Sequence, residues 1–261
     1  EAMRKRGQRG RCLGEGNRLA CLLHALSARF SALLGKPARD TRESGLQQAI
    51  DGSRNILVEG LKKMNPSIPV LTPADAGIPW TERASWSHFW MIDPLDGAAE
   101  FADHTGPYTV NIALIEGSRP VWGVVYNPLE DTVYYAKGAS GCYLARGSDD
   151  PEPLGKPDVA AAPELPVILS AASGLPEAVR GELGNRHGDY RLVHARSAMA
   201  LCLLAEGKAA VYVNAGPTQE WETAAGHAIA RAAGKQICSL ASGEELAYNK
   251  ETLVNDGFIA E

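Results

Sequence analysis

The sequence predicts a layered α/β sandwich: an α+β first half (residues 1–150), an α/β second half (151–261), and a site in the cleft between them. Three observations carry this. Apolar residues recur at helical spacing before residue 65. Strand-like runs broken by turn signals dominate from Val70 to Leu144. From Val167 onward, strand and helix patterns alternate.

Taken in order, the first dozen residues are basic (Arg4, Lys5, Arg6, Arg9, Arg11) and read as a solvated terminus rather than a nucleic-acid arm. Leu19, Leu22, Leu23, Leu26 and Phe30 predict a helix from Asn17 to Leu34. A second helix is expected from Gly45 to Met64, with Leu46, Ile50, Leu57 and Leu61 as its apolar stripe. The strands that follow are punctuated at Gly117-Ser118, Asn127-Pro128 and Lys137-Gly138. Gly147 to Pro166, rich in Asp, Pro and Ala, reads as the connection between the halves. Beyond it come strand Val167–Ser170, helix Pro176–Leu183, strand Arg191–Val193 and helix Arg196–Glu206. Strand Ala210–Val213, helix Glu220–Ala233 and two final strands complete the order.

Composition sets limits on function. The net charge of −5 gives no electrostatic reason to expect nucleic acid or an anionic membrane as a partner. No run approaches the roughly 18 apolar residues of a spanning helix, and no secretory signal is visible. Cys12, Cys21, Cys142, Cys202 and Cys238 are odd in number and scattered, which fits a reduced, cytoplasmic setting. The six histidines show no zinc spacing, and Ser170 and Ser173 lack a nucleophile elbow. His104, just past Asp96-Gly97, reads as a surface-loop histidine.

Chemistry concentrates in two stretches. Phe89 to Ile92 reads as a buried strand that stops at Asp93-Pro94 and turns at Asp96-Gly97. Two carboxylates three residues apart, with the Leu95 carbonyl between them, offer the oxygen ligands that Mg²⁺ prefers, although such dipeptides also simply end strands. In the second stretch, Gly216-Pro-Thr-Gln-Glu-Trp-Glu-Thr-Ala-Ala-Gly226, a turn leads into a helix opened by Thr218. The acids Glu220 and Glu222 stand in its first turn, favoured by the helix dipole and able to face a cation.

In this order and spacing, the two motifs resemble those of the metal-dependent, lithium-sensitive phosphatases of the inositol monophosphatase superfamily, nearest the 3'(2'),5'-bisphosphate nucleotidase branch. The resemblance extends to Tyr108–Glu116, Val121–Pro128, Leu203–Ala210 and Tyr248-Asn-Lys250. It implies an α/β/α/β/α sandwich, a small-molecule substrate and, usually, a homodimer. It implies Mg²⁺ held by Asp93, the Leu95 carbonyl, Asp96 and Glu222, with Asp93, Asp96, Glu222 and His227 as candidate catalytic groups. Gly97, Ala98, Ser170, Arg196 and Glu220 are the candidate substrate contacts.

The sequence also departs from the family pattern. Pro73 and Ala74 stand where a metal-binding glutamate pair is expected, and Asp75 substitutes only if the loop shifts. The water-activating Thr-x-x-Asp falls on Gln47 and Ile50, and the Thr after Asp-Gly is Ala98. The late metal-binding Asp is Glu222, and the Asp ending that motif is His227. A Ser-Arg-Ser-His stretch becomes Ser170-Ala-Ala-Ser173-Gly174, and an expected basic residue is Met199, with Arg196 one turn away. These changes predict one Mg²⁺ ion or none, weak or lost phosphatase activity, and a neutral or singly charged ligand. The expectation is an enzyme repurposed for a small metabolite; a working Mg²⁺-dependent phosphatase and a binding-only pseudoenzyme remain the alternatives.

Overall fold

The computed structural model describes residues 42–103, 105–147, 149–154, 166–169, 175–195 and 197–261. The basic first dozen residues, the helix expected at 17–34, and Ser170, Ser173, Arg196 and His104 lie outside the described residues.

The first described helix, α1 (Arg42–Met64), buries Ala49, Ser53, Leu57 and Leu61, which recur every four residues and so form one face. That face packs on a seven-stranded sheet formed by β1 (Val70–Leu71), β2 (His88–Asp96), β3 (Thr109–Glu116), β4 (Arg119–Asn127), β5 (Thr132–Lys137), β6 (Cys142–Arg146) and β7 (Glu152–Leu154). The strands neighbour one another in sequence order, antiparallel except for β1 and β2. Between them run α2 (Trp80–Arg83) and α3 (Ala98–Asp103). β7 lies inside the stretch expected to be a connection, so the first sheet runs past the boundary expected at residue 150.

Alternation along β2 explains why it reads as an unbroken apolar run. Trp90 and Ile92 join the core under α1, whereas Phe89 and Met91 join the core on the opposite face. That second core holds α5 (Ser197–Ala205) and α6 (Glu220–Ala232), which pack against each other between the two sheets. The second sheet has the order β12-β14-β10-β8-β9, from β8 (Pro166–Leu169), β9 (Arg191–His194), β10 (Val211–Asn214), β12 (Ile237–Ser239) and β14 (Phe258–Ala260). Its outer face carries α4 (Glu177–His187), whose Leu183 packs with Leu175, Val211 and Val213. The layers therefore run α/β/α/β/α, as expected.

Close approach of α6 to the first sheet depends on Gly123. A Cβ there would stand 2.5 Å from the Ala225 carbonyl oxygen and 2.8 Å from the Ala228 methyl. Gly123→Ala must push the helix off the sheet, and we expect it to lower stability by about 1–3 kcal/mol. Urea denaturation checks this; an unchanged midpoint would contradict the packing described.

Two expectations about the chain's end are corrected. Thr218 does not open the helix: Thr218–Gln219 (β11) pairs with Val254–Asn255 (β13), and α6 begins at Glu220 with Gln219 as its cap. Short β-pairing captures the Thr because its partner strand arrives from more than thirty residues away, beyond local reading. For the same reason, three strands rather than two follow α6.

Candidate active site

A regular strand points residues i and i+3 to opposite faces, so Asp93 and Asp96 should diverge. They do not, because β2 carries a bulge between them. Asp93 pairs with Asn111 and Asp96 with Thr109, so one extra residue is absorbed. Asn111 and Thr109 share a face, and the two aspartates therefore share it too. The bulge contains Pro94, which has no ladder donor to lose, and its carbonyl accepts a 2.6 Å bond from the Ser53 hydroxyl. Leu95 also lies in the bulge, its N–H donating to Asp93 Oδ1 at 3.1 Å.

Three donors converge on one oxygen of Asp96. Asn111 Nδ2 (3.2 Å), Thr109 Oγ1 (3.4 Å) and the Ala198 N–H (3.0 Å) all donate to Oδ2. Among the described residues no donor reaches Oδ1, which is left for a ligand. Gly97 follows with φ +86° and Pro107 O only 3.1 Å from where a Cβ would be, so glycine is required at the turn into α3.

The opposing acid comes from α6. Glu222 sits three residues past the cap, and its Oε2 accepts the Gln219 N–H at 3.1 Å. Its position in the first turn directs it to the wall that Asp96 also lines. A cavity of about 390 Å³ is bounded by Asp96, Ala98, Glu100, Tyr212, Thr218 and Glu222, among others. Gly97 lines it as well.

Electrostatics ties the three carboxylates together. Burial pushes Asp93 well above the usual range, and the neighbouring Asp96 and Glu222 push it further. Burial raises Asp96 to about 6 despite its three donors. Glu222 is raised to about 7, by burial and then by Asp96. Like charges held together in a low-dielectric site are relieved by protons or by a cation, and all-oxygen donors suit a hard divalent ion. The chemistry of the acids suits a divalent cation, although among the described residues they are not gathered into a three-ligand group.

Other expected contributors fall elsewhere. Glu220 lies outside the cavity lining: it is fully buried and accepts the Asn249 and Lys250 N–H groups and the Lys250 ammonium. His227 is not in the cavity wall: five residues beyond Glu222 the helix has turned about 140°, and its ring meets Tyr248 and Glu245. Asp75, the acid nearest the glutamate pair of the family pattern, is engaged locally. Its carboxylate takes the Thr72 N–H and hydroxyl and pairs with Arg54. Gln47 is exposed on α1 and bonds Asp51, while Ile50 is half-buried against the core beneath the first sheet. Ala98 presents a methyl group to the cavity.

Thr109, Asn111, the Ala198 N–H, Thr218 and Thr223 were not anticipated as site residues. The period-two Thr109-Val-Asn111 pattern was visible, but its pairing with the aspartates depends on the bulge.

Comparison with known proteins agrees with this geometry. The model of the inositol monophosphatase family matches residues 25–260. The 3'(2'),5'-bisphosphate nucleotidase CysQ of Salmonella typhimurium is 36% identical over 223 residues, covering 85% of this chain and 87% of that protein. CysQ of Escherichia coli K12 is 34% identical over 208 residues, covering 79% of this chain and 80% of that protein. The crystal structure of CysQ from Bacteroides thetaiotaomicron superposes with a TM-score of 0.78 at 32% identity, covering 93% and 97% of the two chains. Inositol monophosphatase-II of Staphylococcus aureus, at 20% identity and TM-score 0.73 over 93% and 86% of the two chains, shares the fold. With that span matched, and a bulge that turns both aspartates toward the α6 acid, this chain belongs to the inositol monophosphatase family.

Proposed function

We propose that this protein is a single-cation phosphatase of the bisphosphate nucleotidase kind, acting slowly on a nucleotide phosphomonoester. The observation that supports it is the bulge that gathers Asp93 and Asp96 on one face, beside the cavity that Asp96 shares with Glu222. Its relatives' names supply the substrate class.

Asp93, the Leu95 carbonyl, Asp96 and Glu222 would hold Mg²⁺; bound there, it supplies charge neutralisation and acidifies water. The residues do the rest. Asn111, Thr109 and the Ala198 N–H fix Asp96 with one oxygen free. Without the cation Glu222 titrates at about 7, and it gives up its proton on ligating the cation. Acid–base chemistry through His227, one route to a repurposed enzyme, loses support because that ring faces away from the cavity.

Calorimetric titration with Mg²⁺ tests the cation count. One site is expected, abolished by Asp93→Asn. Two sites, both lost in that variant, would show that a further ligand replaces the absent glutamate. A second readout is the proton count, since cation entry displaces protons from acids titrating near 6 and 7.

A further inference from the structure

A chain of hydrogen bonds, buried at Asn255, Thr223, Tyr248 and His227, reaches the cavity at Thr218 and Thr223, and both its ends carry charge. At one end the Lys250 ammonium donates to Asn255 Oδ1 (2.6 Å), the Ala247 carbonyl (2.7 Å) and Glu220 Oε1 (2.9 Å). An ammonium has no acceptor, so the Asn255 oxygen must face it. The Asn255 amide nitrogen then faces the threonines, donating to Thr223 Oγ1 at 2.9 Å and Thr218 Oγ1 at 3.5 Å. Both threonine oxygens are acceptors toward Asn255, so each must send its own proton elsewhere.

The far end fixes where the Thr223 proton goes. Glu245 lies 3.4 Å from His227 Nε2, and Arg231 Nε lies 3.6 Å from the same carboxylate oxygen. A carboxylate facing that nitrogen requires Nε2–H. The ring is neutral, since burial holds its pKa down to about 4. Nδ1 is then a lone pair that accepts the Tyr248 hydroxyl proton at 2.9 Å. Tyr248 Oη, 3.3 Å from Thr223 Oγ1, is free to accept from it, and the Glu220 carbonyl at 3.2 Å is a second acceptor. Both lie away from the cavity. Among the described residues no acceptor takes the Thr218 proton, and Thr218 lines the cavity beside Glu222.

The geometry points to Thr218 as a specificity-determining residue, its hydroxyl held as a proton donor into the cleft by Lys250 through Asn255. It favours a ligand that places a lone-pair oxygen there, such as a phosphate or carbonyl oxygen. The choice of nucleotide as probe rests on the functional reading above; the donor assignment does not.

Binding measurements on variants test it. Calorimetry with adenosine 3',5'-bisphosphate and Mg²⁺ should show Thr218→Val binding about tenfold more weakly, with Thr218→Ser close to the parent. Asn255→Asp keeps the Thr218 hydroxyl but offers it an acceptor, turning its proton out of the cleft. It should weaken binding similarly, and the double variant Thr218→Val, Asn255→Asp should lose little more than either single one. Thermal melts confirm that the variants fold. Affinity within twofold of the parent for Thr218→Val or Asn255→Asp overturns the donor assignment. A parent protein that binds neither adenosine 3',5'-bisphosphate nor inorganic phosphate overturns the functional reading, and with it the oxygen-selecting role.

Discussion

Saturated with Mg²⁺, the protein is expected to release phosphate from adenosine 3',5'-bisphosphate at well below about 1 s⁻¹, the low end of ordinary turnover. The positions that the family resemblance assigns to water activation hold Ile50 and Ala98. Ile50 is half-buried against the core under α1, and Ala98 offers the cavity a methyl group. Neither accepts or relays a proton. The side chains of Pro73 and Ala74 offer no ligand, and the carboxylate of Asp75 is committed to Thr72 and Arg54. Losing an acid–base group of this kind costs about 10² to 10⁴ in rate, not additively. Charge neutralisation and acidified water, the chemistry a cation would supply here, leave a residual route, so turnover is slow rather than absent. The repaired chain, Gln47→Thr, Ile50→Asp, Pro73→Glu and Ala98→Thr, should recover rate in part. Ile50→Asp half-buries a carboxylate among apolar neighbours, at a cost of about 1–3 kcal/mol, so recovery should track stability. Steady-state phosphate release decides. An unmodified chain reaching about 1 s⁻¹ sinks the slow, single-cation reading.

Why some of this was legible in the sequence and some was not is a matter of range. The strand ending in Asp93-Pro94-Leu95-Asp96-Gly97 is written locally, in an apolar run and two turn dipeptides. The acidic first turn holding Glu222 is local as well. What a linear reading misses is parity. At regular pleating Asp93 and Asp96 would face opposite ways, and only the register against Asn111 and Thr109 shows the bulge that reunites them. His227 and Glu220 illustrate the complementary failure. Membership of a motif suggested the cleft, but seven residues on a helix return to nearly the same direction, and both side chains face the 245–250 segment. Thr218 looked like a helix cap because Thr before an acidic turn commonly is one. Pairing with Asn255, invisible locally, claimed its backbone instead.

Replacing Asp96 by asparagine is expected to stabilise the cation-free protein at pH 8 and to destabilise it, relative to the parent, once Mg²⁺ is added. Asp96 titrates at about 6 when folded, against 3.8 as a free side chain. Between those values the folded chain holds more protons than the unfolded one, so stability falls as pH rises through that window. Glu222 adds to the same slope between 4.5 and about 7. His227 opposes it: neutral when folded down to about 4 but protonated below 6.5 when unfolded, it makes stability rise with pH over that range. The net curve is thus a difference of opposing terms, and Asp96→Asn removes that of Asp96 together with its push on Asp93 and Glu222. The side-chain amide oxygen of that variant can still accept the bonds from Thr109, Asn111 and the Ala198 N–H, so the local packing is preserved. Below pH 4 the two proteins should melt alike. Above pH 6 the variant should gain on the order of 1–2 kcal/mol, discounted because the acid borders an open cavity. Mg²⁺ should then raise the melting temperature of the parent alone, reversing the order. A variant less stable than the parent at every pH without Mg²⁺ would mean that Asp96 is held by its donors more strongly than burial and its acidic neighbours oppose it.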